Sequence, residues 1–427
     1  MTDIQEPGAE TSGATEPGSR IGLILLIAGI LALGLLGSVS AVIVVIALLV
    51  MIFMHELGHY LTAKSAGMKV TEFFLGFGPR IWSFHKGETE YGLKAIPAGA
   101  YVRIIGMHNL DPVAPEDEPR AYKNKPYWRK MSVASAGSMM HFIMAVVLLF
   151  CLFAFYGQQQ NSVWTVGSLS RLGDTQTSPA IAAGLKVGDK IVSVDGIPVQ
   201  DFDHAVDLIQ ARPGQTIAIE YERGGQTFET TATLENHNPE GKPVGFLGVG
   251  AHYPYVHQSV FSAAQDAVTT FRVLTWESIK ALGSFFSPSG LSHYVDTLLG
   301  RPPSSADSSG SSSGSEPSQG DRPLSPVGAV RLASQAAQSG VPELLRFLIA
   351  INIFVGIFNL VPLLPLDGGH IAIGTYEKIR SRKGRRYQVD VAKLMPLTYA
   401  VVLLMGLVFV SSLWLDLSDP LRNPFGQ

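Results

Sequence analysis

The stretch Met51-Ile-Phe-Met-His-Glu-Leu-Gly-His-Tyr60 closes a long apolar run, and the other functional segments of the chain are understood from it. On a helix, His55 and His59 lie four residues apart and project from nearly the same face, with Glu56 beside them. A zinc hydrolase needs two neutral imidazoles for the metal and a carboxylate that takes a proton from the metal-bound water. The pattern therefore predicts His55 and His59 as zinc ligands and Glu56 as the proton acceptor.

The composition places this motif in a membrane rather than on a soluble surface helix. The chain has 427 residues, of which 46% are hydrophobic and 16% are charged, whereas soluble chains have about 25% charged residues. Ionisable groups inside apolar sequence are costly and mark functional sites. The net charge of −3 gives no sign of a nucleic-acid partner, and the single cysteine, Cys151, cannot form an internal disulfide.

The first segments surround the motif. Residues 1–20 have the composition of a disordered tail. The apolar run from 21 to 54 is too long for one span and short for two. The interruption Gly37-Ser-Val-Ser40 favours an extra N-terminal membrane helix over 21–37, followed by a span with the motif over 38–63, although one long tilted helix is the alternative.

A basic segment follows over 64–131 and contains eleven lysine and arginine residues. The positive-inside rule predicts that it is cytoplasmic. Gly76-Phe-Gly-Pro79, an alternating run from Glu88 and Gly99-Ala-Tyr-Val-Arg103 indicate a membrane-associated β-loop that could hold an extended peptide by strand addition. An ordinary amphipathic interfacial loop is the other interpretation.

The middle of the chain contains a second span and a soluble module. Residues 132–156 form the span, in which His141 is either a ligand, a hydrogen-bonding neighbour of a polar site or a packed residue. Residues 163–250 read as a small α+β domain, with a tight hairpin turn expected at Asp195-Gly196. Its central run from Ser178 to Pro198 resembles that of a bacterial PDZ domain.

The C-terminal part supplies a third candidate ligand. Residues 256–300 indicate an interfacial amphipathic helix and 301–326 a Ser/Gly/Pro-rich linker. Residues 341–377 form a span and a broken helix, interrupted by Pro362 and Pro365 and followed by the intramembrane acid Asp367. Because two histidines lack a third ligand and this acid lacks a partner, we predict one zinc bound by His55, His59 and Asp367, with the fourth position left to water.

The last two segments complete a consistent topology. Residues 378–393 form a basic loop, expected to be cytoplasmic, and 394–415 form the last span. The sequence thus predicts a multi-pass α-helical membrane protein of the cell (plasma or inner) membrane. It has a four-span core, an extra N-terminal helix and an inserted extracytoplasmic PDZ-like domain.

Taken together, these motifs resemble the site-2 protease family of intramembrane zinc metalloproteases. The residues that carry the resemblance are His55-Glu-Leu-Gly-His59, Asn359-x-x-Pro-x-x-Pro-Leu-Asp367-Gly, the Gly-Phe-Gly-Pro loop and the PDZ-like insert between the two zinc motifs. Their order is similar to that of the RseP-like bacterial branch with one PDZ domain, of the actinobacterial type. Two segments depart from the family pattern: Ser138 and His141 stand where relatives commonly carry proline and asparagine, and Pro97-Ala-Gly-Ala-Tyr101 lacks one glycine.

The resemblance implies regulated intramembrane proteolysis, in which a substrate already trimmed by an upstream site-1 protease is cut within its transmembrane helix. Single-pass membrane proteins such as anti-sigma factors, or remnant signal peptides, are the implied substrates, and Zn²⁺ is the implied cofactor. Asn359 is implied as a donor to the substrate backbone or oxyanion, with a helix cap as the alternative. His370 is a further candidate for a residue that supports the metal acid.

Two other classes of function are weighed against the protease. A metal transporter would need a polar path across the membrane, and the spans 132–156 and 394–415 offer almost no ionisable groups for one. A catalytically inactive PDZ-containing scaffold would have no need for the intact set of His55, Glu56, His59 and Asp367.

Overall fold

The computed structural model describes residues 39–107, 112–159, 164–172, 176–238, 242–299, 325–381 and 387–418. The predicted tail over 1–20, the extra helix over 21–37 and nearly all of the linker over 301–326 lie outside these residues. The described residues divide into two compact units, one formed by those up to Leu149 and from Thr269 onward and the other by those between Phe150 and Val268.

Within the described residues, four helices are long and apolar enough to cross a membrane, as the sequence predicts for the core. The first carries the histidine motif and is two residues longer at its C-terminal end than the span predicted over 38–63. The third ends at Asn359, where Pro362 and Pro365 follow and prevent its continuation. The four ranges are Val39–Ser65, Ala136–Tyr156, Val341–Asn359 and Val391–Ser418.

The first span and the β-loop pack together. Helix α1 (Val39–Ser65) is followed by the antiparallel strands β1 (Val70–Lys86) and β2 (Thr89–Ile104). Phe53 of α1 packs edge-on against Phe73 of β1 with ring centroids 5.4 Å apart, and the hydroxyl groups of Tyr60 and Tyr91 lie 2.5 Å apart. The aromatic contacts therefore hold the hairpin against the helix that carries the motif.

Ion pairs of Glu88, which lies in the turn between β1 and β2, connect the hairpin to the C-terminal end of α1. Arg120 and Lys64 both donate to the Glu88 carboxylate, at 2.6 Å each. The Arg120 hydrogen bond is the largest cause that lowers the pKa of Glu88, and with the Lys64 hydrogen bond it brings this pKa to about 2. The Glu88 carboxylate therefore stays ionised between these two cations at neutral pH.

A short helix and a break precede the second span. Helix α2 (Tyr127–Ala134) starts after Pro126, and α3 (Ala136–Cys151) follows after Ser135 and continues through a π-helical turn over Leu152–Tyr156. The last carbonyl groups of a helix have no partner in their own helix. Because α2 ends before Ser135, the carbonyl of Val133 lies in the last turn of this helix.

The second unit contains the module predicted over 163–250. In chain order it has β3 (Gln158–Gln159), β4 (Thr165–Leu169), β5 (Arg171–Leu172), β6 (Gln176–Thr177), α4 (Pro179–Ala182), β7 (Lys190–Val194), β8 (Ile197–Pro198), α5 (Phe202–Gln210), β9 (Thr216–Arg223), β10 (Gln226–Thr233), β11 (Val249–His252) and β12 (Tyr255–Val256).

One sheet and one apolar core organise this module. The sheet has the order β10-β9-β7-β8. Asp195 and Gly196 both have positive φ between the paired residues Val194 and Ile197, which is the two-residue turn that the sequence predicts. The core is formed by side chains from several of these elements, with Val166, Val194 and Ile219 fully buried.

The C-terminal elements follow β12. They are α6 (Val260–Phe285), α7 (Pro288–Leu298), α8 (Pro326–Ser339), α9 (Val341–Asn359), α10 (Asp367–Arg380) and α11 (Met395–Ser418), the last preceded by a 3₁₀ turn over Val391–Leu394. The amphipathic region predicted over 256–300 is two helices rather than one, because Ser287 caps a new helix that begins with Pro288.

Helix α8 has no counterpart among the sequence predictions. It begins at Pro326 after the capping residue Ser325, whose hydroxyl accepts from the backbone N–H of Gly328. It packs against α1 and α9. This helix therefore joins the span that carries the histidines to the span that leads to Asp367.

Candidate metal centre

Three predicted ligands converge at one point. The Nε2 atoms of His55 and His59 lie 3.2 Å apart, and Oδ2 of Asp367 lies 3.5 Å from Nε2 of His55 and 3.3 Å from Nε2 of His59. Among the residues the structure describes, these three form the group of histidine, cysteine and acidic side chains that can hold a metal ion. The helix spacing of the histidines and the broken helix before Asp367 produce this convergence.

The donor set fits a zinc ion. Zinc bonds of about 2.0–2.2 Å in a tetrahedral site place neighbouring donor atoms about 3.3–3.6 Å apart, and the three observed separations lie at or near this range. Oδ2 of Asp367 is buried and makes no hydrogen bond of good geometry within the described part of the chain, although two imidazole nitrogens are close. Oδ2 of Asp367 and the two Nε2 atoms are therefore suited to bind one cation together.

The break between α2 and α3 orients the second histidine. Nδ1 of His59 lies 2.8 Å from the carbonyl oxygen of Val133, which can only accept, so Nδ1 carries the proton. In the neutral ring this leaves a lone pair on Nε2, the atom that faces Asp367. Metal-binding histidines typically donate their other N–H to a carbonyl or carboxylate in this way.

A glycine of α3 makes room for both rings. A Cβ atom at Gly137 would lie 2.5 Å from Nε2 of His55 and from Nε2 of His59. A second close approach occurs at Gly58, where a Cβ atom would lie 2.8 Å from the carbonyl oxygen of Ala136. The two helices approach closely because neither position has a side chain.

Asp367 is placed by the turn that precedes it. The chain reverses over residues 360–366, and Asp367 is the first residue of α10, where a carboxylate is favoured by the helix dipole. A Cβ atom at Gly369 would lie 2.7 Å from the backbone nitrogen of Leu364, so the glycines after Asp367 allow the helix to fold back tightly. This geometry aims the acid towards α1.

An ion pair joins α10 to α2. Nζ of Lys130 lies 2.6 Å from Oε2 of Glu377, and the two side chains are only 11% and 13% exposed. The other oxygen of Glu377 accepts the backbone N–H of Val389 at 3.0 Å. Because α2 supplies the carbonyl of Val133 and α10 supplies Asp367, this pair fixes two parts of the centre relative to each other.

A cavity of about 330 Å³ opens beside the centre and belongs entirely to the first unit. Glu56 lies on its wall, and the backbone N–H of Val102 is within hydrogen-bonding reach of its carboxylate. The cavity is therefore a place where a peptide can meet both the metal ligands and the predicted proton acceptor. Its remaining lining includes Tyr101, Leu364, His370, Val391 and Thr398.

The other candidate residues occupy different places. Asn359 is the last residue of α9 and is not part of the cavity lining. His370 lies on the lining. His141 is 2% exposed, and its ring centroid lies 5.0 Å from that of His55. Its nitrogens are not within the group of three donors, so His141 is a neighbour of the centre.

Sequence reasoning missed Gly137, the carbonyl of Val133 and Asn352. Gly137 and the carbonyl of Val133 carry no ionisable side chain of their own, so only the spatial arrangement shows that they contact the histidines. Asn352 is a polar residue seven positions before Asn359 in the apolar span. This intramembrane amide is the one signal by which the sequence could have indicated a contact.

Comparisons with known proteins agree with this geometry. The family model described as Peptidase family M50 matches residues 43–306 and 316–405. Zinc metalloprotease Rip1 of Mycolicibacterium smegmatis is 32% identical over 409 residues, which cover 90% of this chain and 98% of that protein. Zinc metalloprotease Rip1 of Mycobacterium tuberculosis H37Rv is 31% identical over 410 residues, which cover 88% and 96%.

A solved PDZ domain of an SdrC-like protein from Listeria monocytogenes also matches. It covers 22% of this chain and 92% of its own, with 22% sequence identity and a TM-score of 0.18. This score is too low to support a fold assignment for the second unit.

The chain belongs to peptidase family M50, the site-2 protease family. It is a zinc metalloprotease, and zinc is its cofactor. Members of this family are membrane proteases, and the four apolar helices fit that setting. The resemblance stated from the two motifs is thus confirmed.

Proposed function

We propose that this protein hydrolyses a peptide bond within the transmembrane segment of membrane proteins that another protease has already trimmed. The observation that carries the proposal is the convergence of His55, His59 and Asp367 beside a cavity, at the end of a helix apolar enough to span a bilayer. A hydrolytic centre on such a helix is suited to a substrate that is itself a membrane helix.

The site residues have separate roles. His55, His59 and Asp367 would hold zinc, which supplies Lewis acidity that polarises the scissile carbonyl and acidifies the attacking water. Glu56 accepts the proton of the attacking water and passes it to the leaving amine. Asn359 donates to the substrate backbone or the developing oxyanion. Because Asn359 does not line the cavity, its contact with the substrate backbone requires a substrate segment that extends beyond the cavity towards the end of α9.

The substrate enters as an unwound segment, because a helix shields its own carbonyl groups from attack. The proximity of Tyr101 and Val102 of β2 to Glu56 supports strand addition along this hairpin. An extended segment there would present its carbonyl groups next to the metal ligands.

The basic segments over 64–131 and 378–393 support a cytoplasmic position for the hairpin side of the centre. The second unit would then be extracytoplasmic, and its turn and strand order support a PDZ-like module for substrate segments or for exclusion of untrimmed proteins. Anti-sigma factors or remnant signal peptides are the substrate classes, and a site-1 protease acts first.

The test is cleavage of a single-span reporter by the purified protein in detergent, with wild type compared with Glu56→Gln. The variant keeps all three zinc ligands but lacks the proton acceptor, so we expect bound zinc and a rate lower by at least about 100-fold. Equal cleavage by both proteins would show that Glu56 is not the base.

Metal removal supplies the second arm of this experiment. A chelator should abolish wild-type cleavage, and added zinc should restore it. If zinc-loaded wild type cleaves neither an intact nor a trimmed panel of reporters, the alternative of a catalytically inactive scaffold replaces the protease.

A further inference from the structure

The two histidines of the centre differ in the hydrogen-bond partner of their Nδ1 atom, the ring nitrogen that faces away from the proposed metal. Nδ1 of His59 has the carbonyl of Val133 at 2.8 Å. Nδ1 of His55 is buried and, within the described residues, makes no hydrogen bond of good geometry, although the backbone of Gly137 offers an acceptor near this ring. A histidine that binds metal through Nε2 carries a proton on Nδ1, and a buried N–H without a well-aligned acceptor is costly.

The ring of His141 packs against the ring of His55. The ring centroids of His55 and His141 are 5.0 Å apart, and the rings are inclined at 47°. An N–H···N hydrogen bond of ordinary length between two imidazoles also places their centroids about 5 Å apart. The two rings therefore have the separation that such a bond requires.

The orientation of Asn352 determines which nitrogen of His141 is free to accept. Nδ2 of Asn352 donates to the carbonyl of Leu348 at 2.8 Å, and the flipped amide would place two acceptor oxygens against each other. Oδ1 of Asn352 therefore faces Nδ1 of His141, at 3.0 Å. The neutral ring then has its proton on Nδ1 and a lone pair on Nε2.

Close packing holds this pair in place. His141 and Asn352 are each 2% exposed. A Cβ atom at Gly356, one turn after Asn352, would lie 3.2 Å from Cβ of His141. Helices α3 and α9 thus approach closely beside the pair, which restricts the position of the His141 ring.

We propose that His141 is a positioning residue for the metal centre: Nδ1–H of His55 donates to Nε2 of His141, whose own Nδ1–H donates to Asn352. The chain of hydrogen bonds fixes the ring of His55 and makes its Nε2 a better donor to the metal. The inference rests on the proposed assignment of His55 as a zinc ligand.

The experiment measures zinc affinity of the full-length protein in detergent by competition with a chelator. His141→Phe keeps a ring but removes the acceptor, and should weaken zinc binding about 10–100-fold. His141→Gln places an amide oxygen near the position of Nε2 and should stay within about threefold of wild type. His141→Asn reaches only the position of Nδ1 and should behave as His141→Phe does.

A double-mutant cycle tests the link to Asn352. Asn352→Leu should weaken zinc binding in wild type and have little further effect in the His141→Phe background, because residues of one network are not additive. Unchanged affinity in His141→Phe, or equal losses in His141→Phe and His141→Gln, would overturn the proposal, since the second result indicates packing alone.

A separate variant distinguishes this inference from the ligand assignment. His55→Ala should lose zinc whether or not His141 acts on it. If His55→Ala binds zinc as wild type does, the assignment of His55 as a ligand fails and the proposed chain of hydrogen bonds fails with it. If His55→Ala loses zinc and His141→Phe does not, only the proposed chain is overturned.

Discussion

Gly137 shows how a residue without a side chain can control the chemistry of this centre. The two imidazoles occupy the space that a Cβ atom at this position would take. The Nδ1 atoms of His55 and His59 also differ: that of His59 contacts the carbonyl oxygen of Val133, whereas that of His55 makes no hydrogen bond of good geometry within the described residues. Single atoms around the histidines therefore decide whether their Nε2 atoms can point at a common ion.

Gly137→Ala should reduce zinc affinity about 10–100-fold, with a corresponding loss of cleavage, because the new methyl group collides with both rings. Gly406→Ala in α11 is the matched control, since a Cβ atom there meets nothing within 4 Å. Zinc content after dialysis against a weak chelator gives the measurement. An alanine variant that retains zinc as the control does would contradict the described closeness of α1 and α3.

The hairpin of β1 and β2 connects the site to its substrate. Gly76 and Gly78 have positive φ within β1, and a Cβ atom at Gly76 would lie 2.8 Å from the carbonyl oxygen of Ile96. These glycines allow the irregular pairing of two long strands. The bent hairpin then brings Val102 to the wall of the cavity beside Glu56.

Val102→Pro should lower the cleavage rate about tenfold or more while zinc remains bound, because proline removes the backbone N–H that lies near Glu56 and cannot donate to an added strand. Val102→Ala keeps this N–H and should cleave at nearly the wild-type rate. Both variants are compared by reporter cleavage and zinc content. Unchanged cleavage by the proline variant would contradict the strand-addition hypothesis.

The whole molecule combines apolar helices with a second unit that has its own core. This core includes Ile191, Ile217 and Leu247, each at most 2% exposed. The buried carboxylate of Asp189 pairs with Arg223 at 2.7 Å within the same unit. A module with its own core and ion pair can lie outside the bilayer, and the basic loops predict that it lies on the extracytoplasmic side.

Cysteine labelling of intact spheroplasts tests this topology in a Cys151→Ser background. Glu229→Cys lies on an exposed position of β10 and Glu116→Cys on an exposed turn after the hairpin. A membrane-impermeant thiol reagent should label Glu229→Cys from outside, whereas Glu116→Cys should react only after lysis. The reverse pattern would contradict the orientation derived from the positive-inside rule.

The sequence by itself determined the apolar helices, the two zinc motifs, the family and the Asp195-Gly196 turn. Each of these depends on the local pattern of apolar residues, on residue spacing or on turn-forming residues. Helix α8, the break at Ser135 and the contacts of Gly137, Val133 and Asn352 were decided only by the tertiary structure. They depend on which atoms of distant segments meet: 74 residues separate His59 from Val133, and 211 separate His141 from Asn352. No local pattern encodes such a pairing, since its energy arises from close packing and buried hydrogen bonds between helices.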